Sequence, residues 1–259
     1  MTAFELERLT AGQAAEVGSL PAVVGMLPLG SIEQHGPHLP LATDLWLAQH
    51  LARRVAEASG FPVLIAPPIP GGRSDHHLHF PATLSISEAL YADLIRLQIG
   101  VLARLGVGRV ALISAHGGNF QLAGEIATSM TAAHAEPRLV VKAYSDFARF
   151  NDVMHEAARS AGLAPTETDV HAGVIETSMA LHLFGELVQP FEHLEGYVHP
   201  EPGWLERMNR DGLHALSANG ILGRPQGSRA DAGARVLSAL EHELARWLTE
   251  AFVEVPVGD

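Results

Sequence analysis

Hydrophobic positions along this chain follow two alternating patterns. Short apolar runs at Val23–Leu29, Val63–Ala66, Arg109–Ser114 and Leu139–Tyr144 have the length and composition of buried strands. Between them lie stretches with helical spacing. Asp44–Ser59 carries Leu45, Leu47, Ala48, Leu51 and Val55 on one stripe, and Ser87–Leu105 carries Leu90, Leu94, Ile95, Ile99 and Leu102. Ser85, three residues before Glu88, is spaced as a capping box for the second of these. Phe120–His134 and Arg235–Phe252 are further helices by the same criterion. Strands separated by helices of this length predict right-handed β-α-β units, hence an α/β fold with a largely parallel sheet. The stretch Val188–Gly227 is rich in Pro, Gly and His and lacks periodicity. Only one helix follows it, so it reads as an irregular surface excursion, and residues 1–259 as one domain.

Composition removes several chemistries. The chain has no cysteine, which excludes disulfides, iron–sulfur clusters, thiolate zinc sites and cysteine nucleophiles. Its single lysine, Lys142, lies in an apolar run and follows no Gly-rich loop, which excludes a P-loop. Lys+Arg 17 against Asp+Glu 29 gives a net charge of −12, so neither nucleic acid nor an anionic membrane is an expected partner. No uncharged apolar run approaches the ~18–20 residues of a membrane span, and the first residues do not read as a signal peptide. The expectation is a cytoplasmic protein.

Four polar clusters interrupt this apolar chain, and three of them carry His and acid side chains to predicted element junctions. Gly30–Asp44 begins where the first strand stops, which in open parallel sheets is the ligand-binding edge. Glu33 and His35 are two apart, so an extended backbone turns both to one face; Asp44 opens the next helix. Ala115–Asn119 follows the Arg109–Ser114 strand and places His116, Gly117, Gly118 and Asn119 on the same edge. Asp169–Ser178 carries His171 and, in the first turn of a helix, Glu176. Ser74–Pro81 is dense in histidine, and Ser74 and His79 are its candidates for lining a site. Asp146, just past the fourth strand, is positioned to orient a ligand from behind. Each has a plainer alternative: Asp44 as a helix N-cap, Glu176 favoured by the helix dipole, the histidines as packed loop residues. Together, imidazoles and carboxylates converging on one rim suit Zn²⁺, Mn²⁺ or Fe²⁺ and metal-assisted hydrolysis.

The strings PLGSIEQHGPHLPLATD (28–44), HFPATLS (79–85), HGGN (116–119) and ETS (176–178), with Tyr144, Asp146-Phe147 and the Gly220–Pro225 turn, resemble the creatininase family of creatinine amidohydrolases over nearly the whole chain. The resemblance implies a single-domain three-layer α/β/α sandwich, a homo-oligomer, usually a hexamer, and two divalent metal ions per subunit (Zn, or Mn or Fe). By motif, Glu33 and His116 would hold one metal, His35 and Glu176 the other, and Asp44 would bridge them. A hydroxide between the metals would attack the C–N bond of a small polar amide, cyclic amide or formamide, and His171 matches the proton-transfer histidine. Ser74, His79, Gly117, Gly118, Asn119 and Asp146 would contact substrate or support these groups. Creatinine-hydrolysing members carry a metal-binding glutamate where Gly118 stands and a tryptophan lid where Glu167 stands. The Gly-Gly form is closer to relatives that deformylate a flavin precursor, cleave the mycofactocin precursor peptide or hydrolyse a dehydro-inositol. Ring opening of a keto-cyclitol, peptide cleavage and metal or ligand binding without catalysis are the alternatives, the last disfavoured by a retained His171.

Overall fold

The structure is a computed structural model and describes residues 3–133 and 139–252. His134, expected as a helix end, and residues 1, 2 and 253–259 of the expected domain lie outside the described residues. The elements run β1 (Ala3–Glu5), α1 (Ala11–Gly18), β2 (Val24–Leu29), α2 (Thr43–Ala58), β3 (Val63–Ile65), α3 (Glu88–Arg104), β4 (Arg109–Ser114), α4 (Phe120–Ala133), β5 (Val140–Ala143), α5 (Phe147–Ser160), α6 (Val174–Phe184), α7 (Trp204–Asp211) and α8 (Ala230–Phe252). All strand pairs are parallel, in the order β1-β3-β2-β4-β5.

Alternation along the strands feeds two cores. In β2, Val24 and Met26 join one apolar layer while Leu27 and Leu29 join the other; in β4, Ala111 and Ile113 oppose Val110 and Leu112. The first layer is closed by α2, α5, α6 and α8, the second by α3 and α4. This is a three-layer α/β/α sandwich in one domain. The buried face of α3 is Tyr91, Ala92, Ile95, Ile99 and Leu102. Leu90, assigned to that stripe from spacing, is instead 54% exposed, because Tyr91 takes the inner position. The expected capping box is also replaced. Ser87 precedes the helix without a side-chain cap, and Ser85 Oγ donates to Asp75 and accepts from the Ser74 N–H.

The chain moves from β2 to β3 on one side and then returns across β2 to β4. Loops leaving the carboxyl ends of β2 and β4 therefore diverge and leave a crevice, the topological switch point where open α/β sheets bind ligands. The excursion after α6 is not wholly irregular. It contains α7, which exposes all its residues or half-buries them, and then returns a backbone segment to that crevice: the Leu222 N–H donates to His171 O at 2.9 Å, and the Tyr197 N–H to Ile221 O at 2.9 Å.

Candidate active site

Glu33 and His35 lie in the loop that follows β2, and Gly36, at φ +64°, turns the chain where a Cβ would press to 2.7 Å from Ile221. His35 is fixed at both ends: Nδ1 donates to Glu33 O at 3.1 Å, and Nε2 faces Asp44 Oδ1 at 3.1 Å and Glu176 Oε2 at 3.9 Å. The other Asp44 oxygen lies 3.2 Å from His116 Nδ1, so Asp44 stands between the two imidazoles. Glu33 Oε1 is 3.3 Å from His116 Nδ1 and 3.8 Å from His171 Nδ1. In the first turn of α6, the Glu176 carboxylate accepts the Ala172 N–H at 2.5 Å. Five side chains from two strand-end segments and a helix start thus share one centre. Asp44, His116 and Glu176, with His171, line a cavity of about 30 Å³ together with Leu47, Phe147, Phe150 and Met154.

Charge is the dominant feature of this centre. Both oxygens of Glu33 and Oδ2 of Asp44 are buried without a hydrogen-bond donor. Burial alone would raise the Glu33 pKa, yet facing His116, His77 and His171 hold it well below the usual carboxylate range. Burial likewise opposes charge on His35 and His116. Asp44 overrides it at His35, pushing the pKa up to about 10, and Glu33 with Asp44 raises His116 well above normal. Burial lifts Glu176 to about 7 and, with the neighbouring His35 charge, lowers His171 to about 3. Orphaned buried carboxylate oxygens beside imidazoles require positive charge, and divalent cations are its usual source. Three sets fit such an ion by proximity: Glu33, His35 and Asp44; His35, His171 and Glu176; and Glu33, His77 and His171.

Sequence reasoning missed two residues of this centre. His77 is buried with Nε2 3.1 Å from Glu33 Oε1, whereas His79 is exposed and stacks on His214 with ring centroids 3.6 Å apart. The histidine of this loop that meets Glu33 is thus His77 and not the expected His79; the Asp75–His77 3-10 turn that swings His77 inward carries no periodic signal. The second is Gln34. Its Oε1 accepts the Gly36 N–H, and its amide nitrogen lies 2.8 Å from His77 Nδ1 and 3.2 Å from Gly220 O. Donation to Nδ1 leaves the proton of a neutral His77 on Nε2, the nitrogen nearer Glu33, without hydrogen-bond geometry to it. The Gln34 carbonyl accepts from His171 Nε2 at 2.8 Å, which turns the Nδ1 lone pair of a neutral His171 toward the cavity.

The remaining candidates divide. Gly117 lines the cavity. Ser74 Oγ lies 2.6 Å from Ser31 Oγ and 3.4 Å from His116 Nε2, whose firmer partner is Arg73 O at 3.1 Å. Asn119 is a strut: Nδ2 donates to Gly30 O at 3.0 Å and Oδ1 accepts the Arg73 N–H at 3.0 Å, tying three strand-end loops together. A Cβ at Gly118 would overlap the Arg73 carbonyl oxygen and come within 2.6 Å of His116 Nε2, so no longer side chain fits there. Glu167 is exposed. Asp146 does not reach the centre. It is exposed, and its carboxylate accepts the Arg149 N–H at 2.9 Å as the N-cap of α5.

A parallel α/β/α sandwich with a buried His/carboxylate centre at its switch point is shared with a family of hydrolases. The family model for creatininase, described as creatinine amidohydrolase, matches residues 7–248. The chain belongs to the creatininase family. It is 33% identical over 233 residues to the mycofactocin precursor peptide peptidase of Mycolicibacterium smegmatis, covering 86% of this chain and 84% of that protein. A creatininase structure with Mn superposes at TM-score 0.73 and 26% identity, covering 96% and 99% of the two chains. A mutant creatininase of Zn-Zn type gives the same TM-score and identity over 97% and 99%.

Proposed function

We propose that this chain is a divalent-metal-dependent hydrolase that cleaves the C–N bond of a polar amide, a cyclic amide or formamide being the smallest such substrate. The observation that carries this reading is the set of buried carboxylate oxygens of Glu33 and Asp44 that lack donors but face imidazoles. Glu33 and His116 would hold one cation, His35 and Glu176 a second, with Asp44 between; Zn, Mn and Fe all suit these donors. When bound, such cations supply an acidified water and polarise the substrate carbonyl. The chain's own part is proton handling and exclusion of water. His171, kept neutral by burial and with Nε2–H committed to Gln34 O, offers Nδ1 to take a proton and return it to the departing nitrogen. Leu47, Phe147, Phe150 and Met154 keep the surroundings apolar.

A second reading, hydrolysis of a peptide amide, is favoured by the identity to the mycobacterial peptidase and by the absence of space for a side chain at Gly118. The proposal extends to one domain over residues 1–259, a cytoplasmic location and a homo-oligomer, a hexamer in full; light scattering that returns a monomer removes the last. The central test is elemental analysis of purified protein, followed by a screen of formamides, cyclic amides and peptides with the metal found. Glu33→Gln and His116→Ala are expected to abolish turnover and lower metal content together. Full activity with an intact metal load in either variant overturns the ligand assignment.

A further inference from the structure

The cavity of about 30 Å³ is far too small for a substrate, so the molecule must offer room elsewhere. An open groove of about 880 Å³ runs along the outer side of α4, within the range of ligand-binding clefts. The two spaces adjoin at one place, where Gly117 and Phe147 line both. Phe147 is 38% exposed and packs edge-on against Phe120, ring centroids 5.3 Å apart, so its ring forms the threshold between groove and centre. A Cβ at Gly117 would sit 3.2 Å from that ring, so the glycine leaves the ring room to lie against the backbone where groove and centre adjoin.

The groove's chemistry differs from that of the buried centre. Gly124, Thr128, Ser129 and Ser145 are small, Gln121 and Glu125 are exposed and linked at 2.9 Å, and among the described residues no cationic side chain lines it. Small hydroxyl residues with an amide and a carboxylate suit a chain of neutral donors and acceptors, such as backbone amides, better than a phosphate or a dicarboxylate. Along α4, Phe120 to Ser129 spans about 14 Å at ~1.5 Å per residue. That is room for about four residues of extended chain at ~3.4 Å each.

We propose that the α4 groove binds the non-reacting part of an extended peptide or peptide-like amide, whose scissile bond passes Phe147 into the buried centre. This rests on the hydrolase reading above and narrows its substrate class. The groove is a binding surface for four or so residues, and its contacts are made by Gln121, Glu125, Ser129 and Ser145. Binding energy from such remote contacts raises turnover of long substrates over short ones.

The test uses metal-loaded full-length protein and two mixtures, N-acetylated C-amidated random dipeptides and random hexapeptides, with consumption followed by mass spectrometry. Hexapeptides are expected to be consumed at least tenfold faster than dipeptides. Ser129→Trp and Thr128→Trp, exposed helix positions that fill the groove, are expected to reduce that ratio at least fivefold. Arg235→Trp, on the far side of α8, should leave it unchanged, and melting curves check that each variant folds. Equal consumption of both lengths overturns the proposal, as does a ratio insensitive to groove filling. Hydrolysis of formamides or cyclic amides without any peptide turnover overturns it while leaving the hydrolase reading intact; no turnover of either kind withdraws both. A fall in mass by light scattering for Ser129→Trp, with the length ratio unchanged, would assign the groove to contact with another copy of the chain and overturn it as well.

Discussion

Asp44 and Asp146 occupy equivalent places, each where a parallel strand gives way to a helix, and they do opposite things. The sequence leaves Asp44 between an N-cap and a metal-bridging role and offers Asp146 a ligand-orienting one; in the structure Asp146 is an N-cap and Asp44 is not. Ala42, not Asp44, precedes the first turn of α2 as its cap, and both Asp44 oxygens point across to His35 and His116. Asp146 caps α5 in contact with solvent. What separates them is strand position. β2 is central and flanks the switch point, so the loop after it faces the loop after β4; β5 is the edge strand, and the turn leaving it faces outward. A strand-end carboxylate is a site candidate only when its strand borders the crevice.

Replacing these residues is the direct way to break that comparison, and the largest effect is expected at the first. Asp44→Asn removes the one carboxylate facing both imidazoles and leaves their positive charge less compensated. Turnover should fall by on the order of 10²–10³-fold or more, in line with the loss of one preorganised electrostatic group. Metal content should fall too, with circular dichroism unchanged. Retained metal and activity would return Asp44 to the plain capping role. His171→Asn comes next. It removes the cavity-facing nitrogen but none of the carboxylates, so the expected loss is about 10²–10⁴-fold with the metal load kept. Elemental analysis showing metal lost in parallel would instead make His171 a ligand.

Much of this was legible because side-chain identity carried it. Glu33, His35, Asp44, His116 and Glu176 are polar interruptions at the ends of apolar elements, and short apolar runs and helical spacing located those ends to within a residue or two. What escaped was set by backbone. His77 rather than His79 turns inward because of one 3-10 turn. The excursion after α6 reaches the site through the peptide groups of Gly220, Ile221 and Leu222, which any sequence possesses. Gln34 looks like a spacer between two ligand candidates until its amide is seen meeting His77 and Gly220. Leu90 and Tyr91 differ by one position, and spacing alone favoured the wrong one.

Asp169 is the intermediate case, a capping aspartate that is also buried. It accepts the Val174 N–H at 3.0 Å and the Ile175 N–H at 3.2 Å, holding the start of α6 and hence Glu176. Burial pushes its pKa up to about 7, against those bonds. The folded state therefore keeps the proton where the unfolded chain, near 3.8, has lost it. Between pH ~4 and ~7 the folded form binds more protons, so this group's contribution to stability is present below that window and lost as pH rises through it. About three units correspond to an upper bound of ~4 kcal/mol. Asp169→Asn cannot ionise. In metal-free protein the difference between wild type and variant, from urea midpoints at several pH values, should shrink or reverse as pH rises across the window. A constant difference would mean that Asp169 stays ionised.

The smallest effect is expected at Asp146. With its carboxylate in solvent and one backbone N–H as its bond, Asp146→Ala should cost about 1 kcal/mol, the usual value of a lost N-cap. Turnover should stay within about twofold. The two effects are separable because α5 contributes Phe150 and Met154 to the cavity wall from its inner face, whereas the cap acts only on its first turn. Fraying of that turn would reach Phe147, the first residue of α5, before either of them. A tenfold fall in kcat with metal content and melting temperature preserved would show that Asp146 acts on the centre after all, and strand position would no longer distinguish the two aspartates.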